Sequence, residues 1–285
     1  VAVFIALVLG LPDGIGLTDA LGVAGVTGRL QTFDFSFDLT KQYTFWSGTI
    51  AALFLFLSYF GTDQSQVQRY LTAKSVGEAR TSLLMSAYWK IPLQALVLLV
   101  GVFLFLFYLF TPPPLVFNPV HEKTVRASAR AADYEATEAK FATAYDARKQ
   151  AATSLAEARR SGDTQRVAQA AAEFTSRDAE VVGIRKEATT IVREASGDRS
   201  FSDVNYVFPT FVMTHLPVGL VGLIIAAIFA AAMSTISAEL ASLSTATVID
   251  FYRRYAKTEA DDAHYLRVSK IATGAWGLFA CIVAI

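Results

Sequence analysis

The sequence predicts an all-α integral membrane protein with an extramembrane helical hairpin, and three features predict this fold class. Hydrophobic residues make up 53% of the chain, while acidic and basic residues balance to a formal charge of zero. The segment Ile91–Phe110 carries no charged side chain and, at about 20 residues, is long enough to cross a bilayer as a helix. Charged residues are concentrated between Glu122 and Asp198. A soluble domain is usually more polar throughout its length.

Five apolar segments follow one another along the chain. Each is predicted to be a helix, because backbone at membrane depth must satisfy its own hydrogen bonds. They are Val1–Leu9, Tyr43–Tyr59, Ile91–Phe110, Leu216–Ser237 with a helix that extends towards Tyr252, and Ile271–Ile285. The first is too short to span a bilayer, no initiator Met or basic leader precedes it, and the chain stops within the last segment. We therefore expect the sequence to be part of a longer polypeptide.

The loops between these segments differ in charge, and the difference predicts an orientation. Residues 69–90 and 253–270 are rich in Arg and Lys, whereas residues 10–42 carry four Asp against one Arg and one Lys. Because cytoplasmic loops carry the excess of Lys and Arg, residues 64–90 and 250–270 are predicted to be cytoplasmic. Residues 10–42 and 121–198 are then extracytoplasmic, and the expected location is the cell inner (plasma) membrane.

Two extracytoplasmic stretches have helical patterns. Residues 17–30 predict either a short helix on the membrane face or a plain surface loop. Residues 121–198 lack Pro, are rich in strong helix formers and contain the turn signal Ser161-Gly162-Asp163. After the turn, heptad spacing is kept by Val167, Ala170, Phe174, Val181, Ile184, Ala188 and Ile191. We predict an antiparallel helical hairpin, which is either an arm that docks a protein partner or a tolerated loop insertion.

The chain carries few signals of enzymatic or nucleic-acid chemistry. Cys281 is the only cysteine, and the three His residues are far apart in sequence, so neither a disulfide framework nor a metal cluster is predicted. No phosphate-binding glycine loop or nucleophile elbow is present. Basic residues are balanced locally by acids, so nucleic acid is not an expected partner. We expect no catalytic residues and no organic cofactor.

A run of hydrogen-bonding residues, Ser-Tyr-Phe-Gly-Thr-Asp-Gln-Ser-Gln-Val-Gln-Arg-Tyr-Leu, follows the second apolar segment at residues 58–71. Polar groups at membrane depth are costly unless they face a cavity or a partner, and Gly61 lets a helix loosen at that point. The run therefore either borders a pocket near Tyr59 or has reached the cytoplasmic surface, where Gln66, Gln68 and Arg69 meet water.

A second informative stretch lies in the fourth apolar segment. Ala231, Ser234, Ala238, Ala241 and Thr245 share one stripe of a helix, and small side chains let a neighbouring helix approach closely. The adjacent hydroxyls of Ser234 and Thr235 supply oxygens of the kind that transporters use to bind hard cations. Helix packing, or hydroxyls bonded back to the preceding turn, accounts for the same pattern.

Together these stretches resemble the sodium:solute symporter family. The resemblance rests on Tyr-Phe-Gly-Thr-Asp-Gln-Ser-Gln-Val-Gln-Arg-Tyr-Leu at 59–71, Met-Ser-Thr-Ile-Ser-Ala-Glu-Leu at 233–240 and Val-Ile-Asp-Phe-Tyr at 248–252. It covers nearly the whole chain except the charged insert. It implies an inverted-repeat fold with five helices per repeat. Residues 1–120 would then hold the end of core helix 5 and core helices 6 and 7, residues 121–198 the hairpin insert, and residues 199–285 core helix 8 and the start of core helix 9.

The resemblance also implies site residues. The coupling sodium ion falls on the Ala231 carbonyl and on the Ser234 and Thr235 hydroxyls. The remaining ligands would come from core helix 1, which this sequence lacks.

Four further residues are candidates for substrate binding or gating. Tyr59 falls on an aromatic residue that closes the pocket towards the cytoplasm, and Gln64 lies in the same polar run. Phe56 stands where sugar-transporting members have an Asn, which argues against a sugar substrate. Lys90 falls on a lysine that contacts substrate, or is simply a basic residue at the cytoplasmic end of a helix.

The function implied by the resemblance is secondary active symport of a small solute with Na⁺ across the lipid bilayer. The alternative is a symporter-like membrane sensor that forms one module of a signalling protein. A third possibility is a scaffold whose hairpin binds a protein partner.

Overall fold

The computed structural model describes residues 1–12, 14–31, 33–38, 40–42 and 44–284, and within these ranges the regular secondary structure is entirely helical. Helices α1 to α11 are Ala2–Leu9, Leu17–Val26, Phe45–Gly61, Gln64–Leu71, Val76–Phe110, Pro119–Arg126, Ala131–Ser161, Thr164–Ser196, Val204–His215, Val218–Ala246 and Asp262–Val283. A π-helical segment, Thr247–Ala256, continues α10. The predicted all-α fold class is confirmed. Asp13, Tyr43 and Ile285, which belong to the predicted segments, lie outside the described residues.

The helices form two compact units. The first contains residues 1–32 and 90–221, and the second contains residues 33–89 and 222–285. Helices α5 and α10 each contribute residues to both units. The hairpin lies in the first unit and the two informative polar stretches lie in the second.

Within the described residues, three helices are long and apolar enough to cross a membrane, namely α5, α10 with its π-helical continuation, and α11. Helices α3 and α4 add a fourth span if they are counted as one bent element, with an angle of 53° between them. The most apolar windows of α10 and α11 have no buried residue. A long helix that is apolar on all sides is typical of a membrane span. The chain is therefore part of the multi-pass membrane class.

Helix α5 begins at Val76, well before the predicted segment at Ile91. The Glu78 backbone N–H donates to the Ser75 hydroxyl at 3.2 Å, and the Lys74 N–H donates to the Glu78 carboxylate at 3.1 Å. This arrangement is similar to a capping box, which satisfies the free N–H groups of a first helical turn. The sequence signal of this cap is a Ser three residues before a Glu. The helix then continues through Pro92.

The charged insert forms two long helices, α7 and α8, on either side of the Ser161-Gly162-Asp163 turn. Gly162 has a φ of 72°, a left-handed conformation that favours glycine. Asp163 caps α8, since its carboxylate accepts from the Gln165 and Arg166 N–H groups at 2.9 and 3.2 Å. Ion pairs join Arg130 to Glu194, Lys140 to Glu187 and Arg148 to Asp178. The residue numbers rise on one helix as they fall on the other, so the helices are antiparallel.

The apolar heptad residues of α8 form much of the hairpin core. Phe174, Val181, Ala188 and Ile191 are buried, while Val167, Ala170 and Ile184 are half-buried. On the preceding helix, Tyr134, Phe141, Tyr145 and Leu155 are buried. Arg177, which interrupts the heptads, is exposed and pairs with Glu180 at 3.4 Å.

The hairpin is packed onto the rest of the first unit, which neither sequence interpretation of the insert anticipated. Arginine side chains of the hairpin donate to backbone carbonyls of neighbouring segments: Arg148 to Tyr108, Arg160 to Gly14, Arg185 to Pro114 and Arg193 to Phe201. Helix α2 buries Ala20, Val23 and Ala24 and packs against α7. Helix α2, one of the two structures considered for residues 17–30, is therefore partly buried against the hairpin.

Helices α10 and α11 are joined in the second unit by polar contacts. The Ser244 hydroxyl donates to the Ser269 carbonyl at 2.8 Å, and the Trp276 indole N–H donates to the Thr247 hydroxyl at 2.9 Å. Beyond them, the Tyr252 hydroxyl lies 3.0 Å from the Nε2 atom of His264. The helix that contains the predicted sodium ligands is thus fixed to its neighbour near its C-terminal end.

Candidate functional site

The helical break between α3 and α4 lies in the polar run at residues 58–71. Helix α3 ends at Gly61, and the Ser58 carbonyl accepts from the Thr62 N–H, the Thr62 hydroxyl and the Asp63 N–H at 2.9 to 3.0 Å. Asp63 then caps α4, since its carboxylate accepts from the Ser65 N–H at 2.9 Å and from the Ser65 hydroxyl at 2.7 Å. Polar residues of this run therefore satisfy backbone groups where two helical segments meet.

The substrate and gate candidates of the second unit lie on both sides of this break. Phe56 and Tyr59 each contact Phe60, with ring centroids 5.8 and 5.0 Å away. Phe56 is exposed, Tyr59 is half-buried, and Gln64 is exposed as the first residue of α4. The structure thus brings Tyr59 and Phe56 into one aromatic group on α3.

Lys90 lies in the first unit and inside α5. Because α5 starts at Val76, Lys90 is not at the end of this helix, and its interpretation as a basic residue at the cytoplasmic boundary stays a prediction. The side chain is exposed and stands just before the long uncharged stretch. Its predicted contact with substrate stays a prediction.

Two of the three predicted sodium ligands lie side by side on α10. The Thr235 hydroxyl donates to the Ala231 carbonyl at 3.0 Å. A carbonyl oxygen has two lone pairs and a hydroxyl oxygen has two of its own. If the Thr235 O–H rotates away from the Ala231 carbonyl, a lone pair on each of the two oxygens becomes free. A cation between them would then have two neutral ligands. Oxygen atoms, neutral or anionic, are the ligands that hard cations take.

The same hydrogen bond is common along α10, so by itself it does not identify a site. The hydroxyls of Ser242, Thr245 and Thr247 also donate to the carbonyl four residues earlier. Ser234 differs in its position: it is exposed together with Ala231 and Thr235, and it adds a hydroxyl on the adjacent residue. What distinguishes the 231–235 stretch is this group of three oxygens on an exposed face of a spanning helix.

The small-residue stripe of α10 changes its environment along the helix. Ala231 and Ser234 are exposed, whereas Ala238, Ala241 and Thr245 are half-buried. Leu240, in the same part of α10, lies beside Gly277 of α11. Helix packing therefore accounts for the C-terminal part of the stripe, which was one of the two interpretations of the sequence. The N-terminal part, with the predicted ligands, is not explained by the contact with α11.

Metal chemistry based on His, Cys, Asp or Glu is not indicated by the described part of the chain, where no three such side chains are grouped to hold an ion. The oxygens at Ala231, Ser234 and Thr235 are of a different type. They suit a monovalent hard cation that binds reversibly, because no anionic ligand among them would hold it tightly.

The helix that carries these oxygens, α10, lies in a part of the chain that is similar to known proteins. A family model described as the sodium:solute symporter family matches residues 186–285. Residues 186–285 of the chain are therefore similar to this family. The match includes α10, its π-helical continuation and α11, and so contains Ala231, Ser234 and Thr235. It begins inside α8, within the predicted insert, and the symporter-like run at residues 58–71 lies outside it.

Individual symporters show the same relationship. The chain is 40% identical to the sodium/sialic acid symporter of Proteus mirabilis over 28% of this chain and 16% of that protein. It is 31% identical to the sodium-coupled monocarboxylate transporter 2 of Danio rerio over 28% of this chain and 13% of that protein. It is 29% identical to the sodium/iodide cotransporter of Homo sapiens over 35% of this chain and 16% of that protein.

The chain therefore covers less than a fifth of the length of each of these symporters. No solved structure matches it. The proteins that this chain resembles are membrane transporters that use sodium. Their similarity does not identify the solute or the sodium ligands of this chain.

Proposed function

We propose that the protein is a sodium-coupled symporter and that Ala231, Ser234 and Thr235 supply part of its sodium site. The observation that carries the proposal is the group of three neutral oxygens on an exposed face of α10, within the segment that matches the symporter family. The site residues come from the sequence resemblance, and the geometry of Ala231 and Thr235 fits the role. Further ligands would come from a core helix outside this sequence.

Sodium would act here as a co-transported substrate. On binding, the ion would take the place of the Thr235 hydroxyl proton at the Ala231 carbonyl. Because that hydrogen bond comes from a side chain, the backbone hydrogen bonds of α10 would stay in place. The membrane potential favours inward movement of one sodium charge by about 2.3 kcal/mol per 100 mV. Tyr59 and Phe56, beside the break between α3 and α4, would border the solute on the cytoplasmic side.

The solute is proposed to be a small anion. The named solutes of the similar symporters are sialic acid, monocarboxylates and iodide, all of which are anions at neutral pH. An aromatic residue, Phe56, also replaces the Asn expected in sugar-transporting members.

Uptake into liposomes tests this function. We expect the full-length protein to accumulate at least one of sialic acid, pyruvate and iodide when an inward sodium gradient is imposed, and to take up little glucose. Accumulation should fall by about tenfold or more when potassium replaces sodium, since the driving ion is then absent. Equal uptake with either cation would contradict sodium coupling. A protein that binds the solute but never accumulates it would favour the sensor alternative.

The proposed topology places Arg69–Lys90 in the cytoplasm and the hairpin outside, in the inner (plasma) membrane. In a Cys281→Ser background, which removes the native exposed thiol, Ser161→Cys should react with an impermeant thiol reagent in whole cells and Ser75→Cys should not. The charge difference between the loops is the physical reason. Lysed cells provide the matched control, because both positions should then react. Labelling at residue 75 alone in whole cells would contradict this topology and show the opposite orientation.

A further inference from the structure

A cavity of about 370 Å³ lies in the first unit, where the hairpin meets the C-terminal part of α5 and the N-terminal part of α9. Its size is typical of sites that hold a small molecule. None of the predicted sodium, substrate or gate residues lines it. The cavity is therefore a feature of the hairpin and its packing, and the proposed sodium site does not account for it.

Among the residues that the structure describes, three arginines line this cavity and no acidic residue does. Arg29 lies over the ring of Phe105, with its guanidinium carbon 3.9 Å from the ring centroid. Arg185 lies over Phe117 at 4.8 Å, and Arg148 is buried at 7% exposure. Arg29 follows α2, Arg148 lies on α7 and Arg185 lies on α8, and all three line the same cavity.

Two carboxylates behind the cavity wall offset this charge only in part. Asp178 pairs with Arg148 at 3.3 Å, and Asp203 accepts a hydrogen bond from the Phe117 N–H at 2.8 Å. Burial lowers the pKa of Arg185 to about 10 and lowers the pKa of Arg148, which Asp178 opposes. Burial also raises the pKa of Asp203. The two carboxylates do not balance the three guanidinium groups, so the lining keeps an excess of positive charge.

Two donors in the lining lack a hydrogen-bond partner. The Tyr108 hydroxyl and the Arg148 Nε–H are both buried and unpaired, and each of these two residues is only 7% exposed. Arg148 uses its other nitrogens to reach Asp178 and the Tyr108 carbonyl. Buried donors without acceptors are rare in native proteins, and each calls for an explanation. An anionic ligand that accepts hydrogen bonds from the Tyr108 hydroxyl and the Arg148 Nε–H would explain them.

We infer that this cavity binds a small organic carboxylate, with its carboxylate group at Arg148 and Tyr108 and its apolar body against the aromatic rings. The unpaired Nε–H of Arg148 and the unpaired hydroxyl of Tyr108 can each donate to a carboxylate oxygen, and hydrogen bonds between an arginine and a carboxylate are strong. Phe105, Phe117 and Phe208 supply apolar walls, which suit a compact organic body better than an inorganic ion. The inference does not require sodium coupling, because the binding site contains no predicted sodium ligand.

The decisive comparison is between variants of two tyrosines that each have a buried, unpaired hydroxyl, one inside the cavity lining and one outside it. Tyr108 and Tyr145 are both buried and both carry an unpaired hydroxyl, but only Tyr108 lines the cavity. Neither Tyr108→Phe nor Tyr145→Phe removes a hydrogen bond from the protein, so both variants should fold with unchanged melting temperatures. A second pair compares Arg29→Gln, in the lining, with Arg166→Gln, an exposed hairpin arginine outside it.

The measurement is binding of 4-fluorobenzoate to the purified full-length protein in sodium-free buffer of low ionic strength, followed by fluorine NMR. We expect saturable binding, no comparable binding of neutral 4-fluorobenzamide, and affinity weakened about tenfold by Tyr108→Phe. Arg29→Gln should also weaken binding, while Tyr145→Phe and Arg166→Gln should leave it unchanged.

Three results would overturn the inference. They are absence of saturable 4-fluorobenzoate binding, equal affinity for the amide, and equal affinity in the Tyr108→Phe and Tyr145→Phe proteins. Binding of dihexanoylphosphatidylglycerol that depends on Tyr108, without binding of 4-fluorobenzoate, would also overturn it and assign the cavity to a lipid headgroup. Because sodium is absent throughout, a failure here is separate from a failure of sodium-driven uptake.

Discussion

Replacing Arg148 with Met is expected to lower the free energy of unfolding of the first unit by about 3 kcal/mol. The Arg148 side chain is 8% exposed and its partner Asp178 is 17% exposed. Removal of the guanidinium leaves a largely buried carboxylate without its cation and the Tyr108 carbonyl without its donor. That carbonyl belongs to the last turn of α5, where helix carbonyls lack intrahelical partners and favour a positive charge.

Thermal unfolding in detergent, together with hydrogen exchange of the α7 and α8 amides, measures this effect. Arg166→Met is the matched control, because Arg166 is exposed on the same hairpin, and its change should stay within about 0.5 kcal/mol. The double variant Arg148→Met, Asp178→Leu should recover much of the loss, since an apolar pair can replace a buried ion pair. If Arg148→Met is as stable as Arg166→Met, the hairpin is not held to α5 through this residue.

Ser234→Ala is expected to raise the half-saturation concentration for sodium by about tenfold, the cost of losing roughly one ligand interaction. The change removes one hydroxyl and little volume from an exposed face of α10, so the helix should still pack. A partly dehydrated sodium ion needs several oxygens, and a methyl group cannot replace one. The measurement is initial uptake against sodium concentration at saturating solute.

Ser237→Ala is the matched control for this variant. Ser237 is another exposed hydroxyl residue of α10, three residues further along, and it is not among the predicted ligands. Its half-saturation for sodium should stay unchanged. An equal shift in both variants would mean that hydroxyls on this helix affect uptake through its packing, and not by binding the ion.

The elements that the sequence predicted well are those that local signals define. The hairpin helices meet at Gly162 and Asp163, whose turn and cap are visible as a Ser-Gly-Asp signal. Phe174, Val181 and Ile191 keep one apolar face by their spacing alone. The continuation of α10 past Ser237 was also predicted, although its change to a π-helix from Thr247 has no signal in the residue pattern that we used.

The features that the sequence did not reveal depend on contacts between distant residues. The guanidinium group of Arg148 reaches a carbonyl forty residues earlier in the chain, and hydrophobic spacing carries no information about such a pair. The arginine-lined cavity combines residues of six segments, so it exists only once they pack. In the candidate site, periodicity placed Ser234 and Thr235 near one stripe, but only the resemblance distinguished ligands from packing residues.

The comparison of Thr235→Ala with Thr235→Ser tests the central claim most directly. Thr235 donates to the Ala231 carbonyl in this structure, and Ser keeps that oxygen while it removes the same methyl group that Ala removes. Initial uptake of the transported solute is measured against sodium concentration for both proteins. The proposed site predicts that Thr235→Ser keeps most of the sodium affinity and that Thr235→Ala weakens it by about tenfold. Equal half-saturation in the two variants and the unmodified protein would contradict a sodium ligand at this position.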